Sequence, residues 1–87
     1  MFYYVYVLQS LHCEKLYIGY STNLIVRLAS HNKGENKATR PYIPYKLIFY
    51  EAFLSKKDAE AREIYLKSGY GLRTIKTMLK TYLSKDE

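Results

Sequence analysis

Three polar side chains, Asn23, Arg27 and His31, follow one another at intervals of four residues. Residues four apart on an α-helix lie on one face, and Leu24 and Leu28 form a neighbouring apolar line. A guanidinium group matches the oxygens of an anion, and an imidazole with a pKa of about 6.5 can move a proton near neutrality. The segment therefore predicts a helix with a polar, cationic edge. An ordinary amphipathic surface helix is the alternative interpretation.

The charge balance points to a polyanionic partner. Fourteen lysines and arginines oppose eight acidic residues, which gives a net charge of +6 and a pI near 9.4. Such a field favours encounter with nucleic acid, although many proteins carry it for solubility alone. The chain also contains 11 tyrosines and no tryptophan. Most of these tyrosines are expected to lie in the sheet or the core, so only particular ones are functional candidates.

Length and composition exclude several classes of protein. The 87 residues predict one domain over 1–87. No apolar run approaches the roughly 20 residues that span a bilayer, and no signal peptide is recognisable, so we expect a cytoplasmic protein without a membrane partner. Cys13 has no second cysteine for a disulfide, and together with His12 and His31 it cannot form a structural zinc set. The oligomeric state is not predicted.

The hydrophobic pattern predicts an α+β fold. Aromatic and β-branched residues indicate strands over residues 2–9, 16–20 and 45–53. Capping signals and helical spacing predict helices from Asn23 to about residue 33, from Ser55 to about residue 68, and over about residues 72–83. Gly69 and Gly71 are expected to break the chain between the last two. The order β-β-α-β-α-α predicts a small antiparallel sheet of about three strands flanked by helices.

Several short motifs occur in an order that resembles a known family. They are Tyr4-Val5-Tyr6 on the first strand, Tyr17-Ile18-Gly19 on the second, the polar residues Ser21, Asn23, Arg27 and His31, and a later helix with Ala59-Glu60-Ala61-Arg62-Glu63. This set is similar to the GIY-YIG nuclease domain, in particular its small single-domain type, and the resemblance covers nearly the whole chain. Tyr4 stands where the family name has a glycine.

The resemblance implies a GIY-YIG-like fold and a metal-dependent endonuclease that hydrolyses phosphodiester bonds. It implies one divalent ion, Mg²⁺ or alternatively Mn²⁺, and a nucleic-acid substrate, DNA rather than RNA. We expect the substrate to be selected by structure rather than sequence, in DNA repair or processing. Two alternatives stay open, namely a catalytically inactive nucleic-acid-binding module of the same fold and a protein-interaction domain.

The family's chemistry suggests roles for four residues. Arg27 would neutralise charge on the phosphoryl oxygens, because its planar fork matches them. Tyr6 or Tyr17 would handle the proton of the attacking water, although a phenol with a pKa of about 10 is a poor base unless a metal or cation lowers it. His31 would relay a proton or hold the water or phosphate. The choice between the two tyrosines is left open.

Glu63 is the candidate metal ligand. On a helical wheel it lies beside Ala59 and Leu66, whereas Glu60 lies on the solvated side, and its position matches the family's acidic residue. Magnesium often takes one or two protein carboxylates and keeps several waters, so one glutamate is sufficient. Glu60 is the second choice, and a salt-bridged surface glutamate is the alternative for both.

Basic residues outside the motifs are candidate contacts to the nucleic-acid backbone. Such contacts provide affinity without reading sequence. The alternative for each is a solvated surface charge. The candidates in the loop after the first helix and on the last helix are Lys33, Lys37, Arg40, Lys76 and Lys80.

Overall fold

The computed structural model describes residues 1–84 and confirms the predicted α+β fold and order of elements. The strands are β1 (Tyr3–Ser10), β2 (Leu16–Ser21) and β3 (Tyr45–Phe53). The helices are α1 (Leu24–Asn32), α2 (Lys56–Lys67), α3 (Gly69–Met78) and α4 (Lys80–Ser84), and a short 3₁₀ turn spans Arg40–Tyr42. None of these helices has the length and hydrophobicity needed to cross a bilayer.

The sheet is antiparallel, with β1 in the centre and the strand order β2-β1-β3. Strand β1 is buried on both faces because a different core covers each one. Val5 and Val7 pack against α2 and α3, in a cluster that includes Ala59, Leu66 and Ile75. On the other face, Tyr6 and Leu8 pack against apolar residues of α1 and of the chain around β3, namely Leu24, Leu28, Tyr42, Ile43, Tyr45 and Leu47.

Helix α1 begins at the predicted cap. The Oδ1 atom of Asn23 accepts a hydrogen bond from the amide of Val26 at 3.1 Å. The Ser21 hydroxyl accepts from the Asn23 amide at 3.0 Å, so both side chains shape the turn that leads from β2 into α1. The helix ends at Asn32, and Gly34 follows with a φ of 78°, a conformation that favours glycine. The turn from β2 into α1 thus fixes where the helix that carries Arg27 begins.

The C-terminal region contains two helices where one was predicted over about residues 72–83. Helix α3 begins at Gly69, because the Ser68 hydroxyl caps it by accepting from the Gly71 amide at 3.1 Å. A Cβ at Gly71 would overlap the backbone of Tyr65 and Leu66, so the glycine permits α3 to pack against the end of α2. The interruption after Met78 is slight, because the Leu79 amide still donates to the Ile75 carbonyl at 2.9 Å.

One close approach links the two strands that carry the motifs. Tyr6 on β1 lies opposite Gly19 on β2, and the Tyr6 phenol ring passes over Gly19. A Cβ at position 19 would overlap the Tyr6 hydroxyl and the carbon that bears it. Glycine is therefore required here for space, and this space lets the Tyr6 hydroxyl reach helix α1.

We predict that Gly19→Ala lowers the free energy of unfolding by about 1–3 kcal/mol, because the added methyl overpacks the Tyr6 phenol. Urea denaturation measures the loss. Gly69→Ala is the matched control, since nothing lies within 4 Å of a Cβ there. The control should change stability by less than about 0.5 kcal/mol. Equal effects of the two substitutions would contradict this account of Gly19.

Candidate active site

The hydroxyl of Tyr6 lies at the centre of a polar cluster beneath helix α1. Tyr6 is 2% exposed. Its oxygen accepts a hydrogen bond from Nε of Arg27 at 3.3 Å and lies 2.9 Å from Nε2 of His31. Arg27 and His31 are one helical turn apart, so both point from α1 toward the same strand residue. The predicted catalytic residues Tyr6, Arg27 and His31 are therefore in direct contact.

The donors and acceptors of this cluster are fixed by the needs of the Tyr6 hydroxyl. Since the guanidinium of Arg27 can only donate, the phenol oxygen accepts from it. The hydroxyl hydrogen then requires an acceptor, because a buried polar hydrogen without one is costly. Among the described residues, Nε2 of His31 is the atom in reach. Tyr6 therefore donates its proton to Nε2.

His31 itself is fully buried, which the spacing on α1 did not predict. Its ring lies edge-on to Tyr17, with centroids 5.0 Å apart, and also contacts the rings of Tyr6 and Tyr45. Its second ring nitrogen, Nδ1, lies 2.8 Å from the hydroxyl of Thr39. Thr39 was missed by the sequence analysis, because it lies in an irregular loop where no periodicity indicates which side chains turn inward.

Burial favours the neutral forms of Tyr6 and His31. Burial is the largest effect on Tyr6 and raises its pKa, as do the charges of Tyr17 and Glu63, whereas the Arg27 hydrogen bond and charge lower it, and the net shift is upward. Burial also lowers the pKa of His31, and the positive charge of Arg27 lowers it further. The expected lowering of the Tyr6 pKa by Arg27 is therefore present but outweighed. A neutral phenol and a neutral imidazole face each other at rest.

Tyr17, the other candidate for proton handling, lies on β2 and is half-buried. Its ring centroid is 6.5 Å from that of Tyr6. Within residues 1–84 its hydroxyl has no protein hydrogen-bond partner, so it is available to a water molecule or a substrate. The structure therefore distinguishes a buried Tyr6, bonded to Arg27 and His31, from a Tyr17 that is only half-buried.

Glu63 on α2 is half-buried, whereas Glu60 is exposed. The charge of Glu63 contributes to the raised pKa of Tyr6, so the two groups interact electrostatically. Its carboxylate forms an ion pair with Nζ of Lys67 at 2.9 Å. No cluster of three or more potential ligands occurs in the described part of the chain. This donor set fits a hydrated magnesium ion held by one carboxylate and does not fit a structural zinc site.

The basic candidates occupy two different regions. Lys33, Lys37 and Arg40 are exposed in the loop that covers His31, and Nε of Arg40 donates to the Gly34 carbonyl at 2.8 Å. Lys76 and Lys80 line a groove of about 350 Å³ between the β1–β2 connection and the last two helices.

The lowered pKa of His31 predicts a loss of stability in acid. Below the ordinary pKa of about 6.5, the unfolded chain binds a proton that the folded chain does not. The free energy of unfolding should therefore fall as the pH drops below that value, until both states are protonated. Denaturation from pH 7 to pH 5 should show a smaller slope in His31→Gln than in the parent. His12→Gln, which removes an exposed histidine, is the matched control, and an NMR titration with His31 at or above 6.5 would contradict the prediction.

Comparison with known proteins gives a consistent family assignment. The model of the GIY-YIG catalytic domain matches residues 2–76. A UPF0213 protein of Clostridium perfringens is 43% identical over 65 residues, which are 74% of this chain and 69% of that protein. A UPF0213 protein of Streptococcus pyogenes is 45% identical over 65 residues, or 74% and 70% of the two chains.

A solved structure agrees with these relatives. The solution NMR structure of a UPF0213 protein from Bacillus halodurans has a TM-score of 0.56 and 31% identity, covering 90% of this chain and 85% of that one. The matched range includes the strand pair that places Tyr6 over Gly19 and the helix that brings Arg27 and His31 to it. With its motifs, fold and relatives in agreement, the chain belongs to the GIY-YIG catalytic domain family.

Proposed function

We propose that this protein is a metal-dependent endonuclease that hydrolyses phosphodiester bonds in nucleic acid. The observation that supports the proposal most strongly is the Tyr6 hydroxyl, which is bonded to both Arg27 and His31. This contact combines a permanent cation, a phenol and a neutral imidazole within one site. Phosphodiester hydrolysis needs charge neutralisation and removal of a proton from water, and these groups can supply both.

Arg27 is the phosphate-binding group in this proposal. Its Nε donates to Tyr6, which fixes the plane of the guanidinium and leaves the two terminal nitrogens for other acceptors. A planar fork of two N–H donors matches two phosphate oxygens, and a fixed fork needs no reorganisation when negative charge develops. A lysine would provide a point charge without this orientation.

The proton of the attacking water passes to the Tyr6 oxygen as the Tyr6 proton moves to Nε2 of His31. The accessible hydroxyl of Tyr17 holds the water. The water oxygen bonds to phosphorus while the bond from phosphorus to the leaving oxygen breaks, and the leaving oxygen takes a proton from solvent. This scheme leaves Tyr6 neutral and His31 as an imidazolium, which then returns its proton to solvent.

Glu63 would hold the metal ion, Mg²⁺ or Mn²⁺. The bound ion would add positive charge to neutralise the phosphoryl group. The Lys67 ammonium now paired with Glu63 gives way readily, since an ion pair at a partly exposed site contributes about 0–1 kcal/mol.

We infer that the substrate is DNA rather than RNA, bound by its shape and phosphates, as in repair or processing of branched or nicked strands. The exposed residues Lys33, Lys37 and Arg40 lie in the loop over His31, so they can extend the phosphate contacts of Arg27. Lys76 and Lys80 would contact a more distant part of a long substrate. Contacts of this kind provide affinity without sequence preference.

Arg27→Lys should retain most substrate affinity and lose about a hundredfold or more in turnover, by analogy with removal of one preorganised donor. The positive charge remains, but the fork that binds two oxygens is lost. Single-turnover cleavage and filter binding measure the two quantities. Arg73→Lys, on the exposed surface of α3, is the matched control and should cleave like the parent. If Arg27→Lys cleaves normally, Arg27 does not stabilise the transition state.

Glu63→Gln should abolish cleavage while leaving the fold and most nucleic-acid binding intact, because it removes the proposed metal ligand without changing its shape. Glu60→Gln, on the exposed side of the same helix, is the control. The assay uses branched, nicked and single-stranded DNA and RNA with magnesium, manganese or a chelator. An inactive Glu60→Gln with an active Glu63→Gln would show that the ligand is misassigned. Binding without cleavage under every condition would contradict the proposed enzyme.

A further inference from the structure

Thr39 lies in the loop between α1 and β3 and is fully buried. Threonine is mostly a surface residue, and a buried hydroxyl requires a partner. The partner here is His31, whose Nδ1 lies 2.8 Å from Oγ1 of Thr39. The loop thus places a hydroxyl against the side of the imidazole that Tyr6 does not occupy.

The loop holds Thr39 in place by bonds of its own. The carbonyl of Asn36 accepts from the amides of Thr39 and Arg40, at 3.2 and 3.0 Å. The side chain of Asn36 accepts from the Ala38 amide at 2.9 Å, and Arg40 donates to the Gly34 carbonyl at 2.8 Å. Because these bonds do not involve His31, Thr39 is in position whatever the protonation state of the imidazole.

Two independent contacts give the same direction for the hydrogen bonds. The hydroxyl of Thr39 donates to the Asn36 carbonyl at 3.4 Å, so its oxygen is free to accept from Nδ1 of His31. On the opposite side, Tyr6 accepts from Arg27 and must donate to Nε2. The reverse assignment would place a hydrogen on Nε2 and leave the buried Tyr6 hydroxyl hydrogen without an acceptor. All the hydrogen bonds of this network are therefore satisfied when the hydrogen of the neutral His31 ring is on Nδ1.

We propose that Thr39 is a positioning residue that holds His31 in the tautomer protonated at Nδ1, so that Nε2 stays free to accept the proton of Tyr6. The kinetic consequence rests on the proposed function, whereas the tautomer is a property of the free protein. When His31 becomes an imidazolium, Nδ1 still donates to the same hydroxyl, so Thr39 needs no rearrangement during proton transfer. A histidine whose tautomer and ring orientation are fixed by a partner is a more effective base.

Substitution of Thr39 by valine removes the hydroxyl and keeps the shape of the side chain. Long-range ¹H–¹⁵N NMR spectra of the imidazole report which nitrogen carries the hydrogen. We expect the parent and Thr39→Ser to show hydrogen on Nδ1. In Thr39→Val either tautomer leaves one buried hydrogen without an acceptor, that of Nδ1 or that of the Tyr6 hydroxyl, so part of the population should shift toward Nε2. Thr77→Val, on the exposed face of α3, is the matched control and should match the parent. A parent His31 protonated at Nε2 would overturn the proposal, even if Thr39→Val fails to fold.

Kinetics provide a second measurement. Thr39→Val should lower kcat by roughly 10- to 100-fold with little change in KM, by analogy with loss of the partner that orients a metal-bound histidine, and Thr39→Ser should restore it. The acidic limb of the kcat profile should move to lower pH, because loss of the acceptor disfavours the imidazolium. The charged and titratable groups that face His31 are Arg27, Tyr6, Tyr17 and Tyr45, and none of them changes in this variant.

The two measurements separate the two proposals. If the parent cleaves and Thr39→Val keeps the Nδ1 hydrogen, the parent kcat and the parent pH profile, the role of Thr39 is wrong while the proposed function stands. If the parent cleaves no substrate with any metal, the proposed function is wrong, and the NMR spectra still decide whether Thr39 sets the tautomer.

Discussion

The site depends on one buried hydroxyl, that of Tyr6. The buried phenol ring of Tyr6 on the central strand stabilises the sheet by packing, but its hydroxyl then needs hydrogen-bond partners within the core. Arg27 and His31 satisfy it as donor and acceptor. Gly19 supplies the space in which the ring lies. Packing therefore couples four residues, and removal of one leaves another without its partner. These residues are Tyr6, Gly19, Arg27 and His31.

Rigid elements set the positions of these groups. The central strand contributes Tyr6, one turn of α1 contributes Arg27 and His31, and the loop contributes Thr39. The cap at Asn23 fixes where α1 begins, so it also fixes which of its residues face the sheet. A site needs such precise placement when its side chains act by holding the substrate and the proton donors and acceptors in a fixed orientation. The basic loop joins the site through Thr39.

The sequence predicted the fold because periodicity and turn residues record local structure directly. It also predicted that Arg27 and His31 share a face, since that follows from helical spacing. The contact of Tyr6 with them could not be derived in this way, because it depends on strand register and on the space above Gly19. Thr39 left no pattern at all in its irregular loop. Gly71 was interpreted as a helix breaker, whereas its missing Cβ permits one helix to pack on another.

The resting electrostatics of the cluster explain how a phenol could act in proton transfer despite its raised pKa. In the free protein, burial and the charge of Arg27 both oppose an imidazolium at His31. In the proposed reaction, a phosphate bound to Arg27 would offset that charge and add a negative group nearby, so both changes favour the imidazolium. Transfer of the Tyr6 proton to Nε2 would therefore become easier when substrate is bound. Phosphate binding at Arg27 would in this way favour proton transfer through Tyr6.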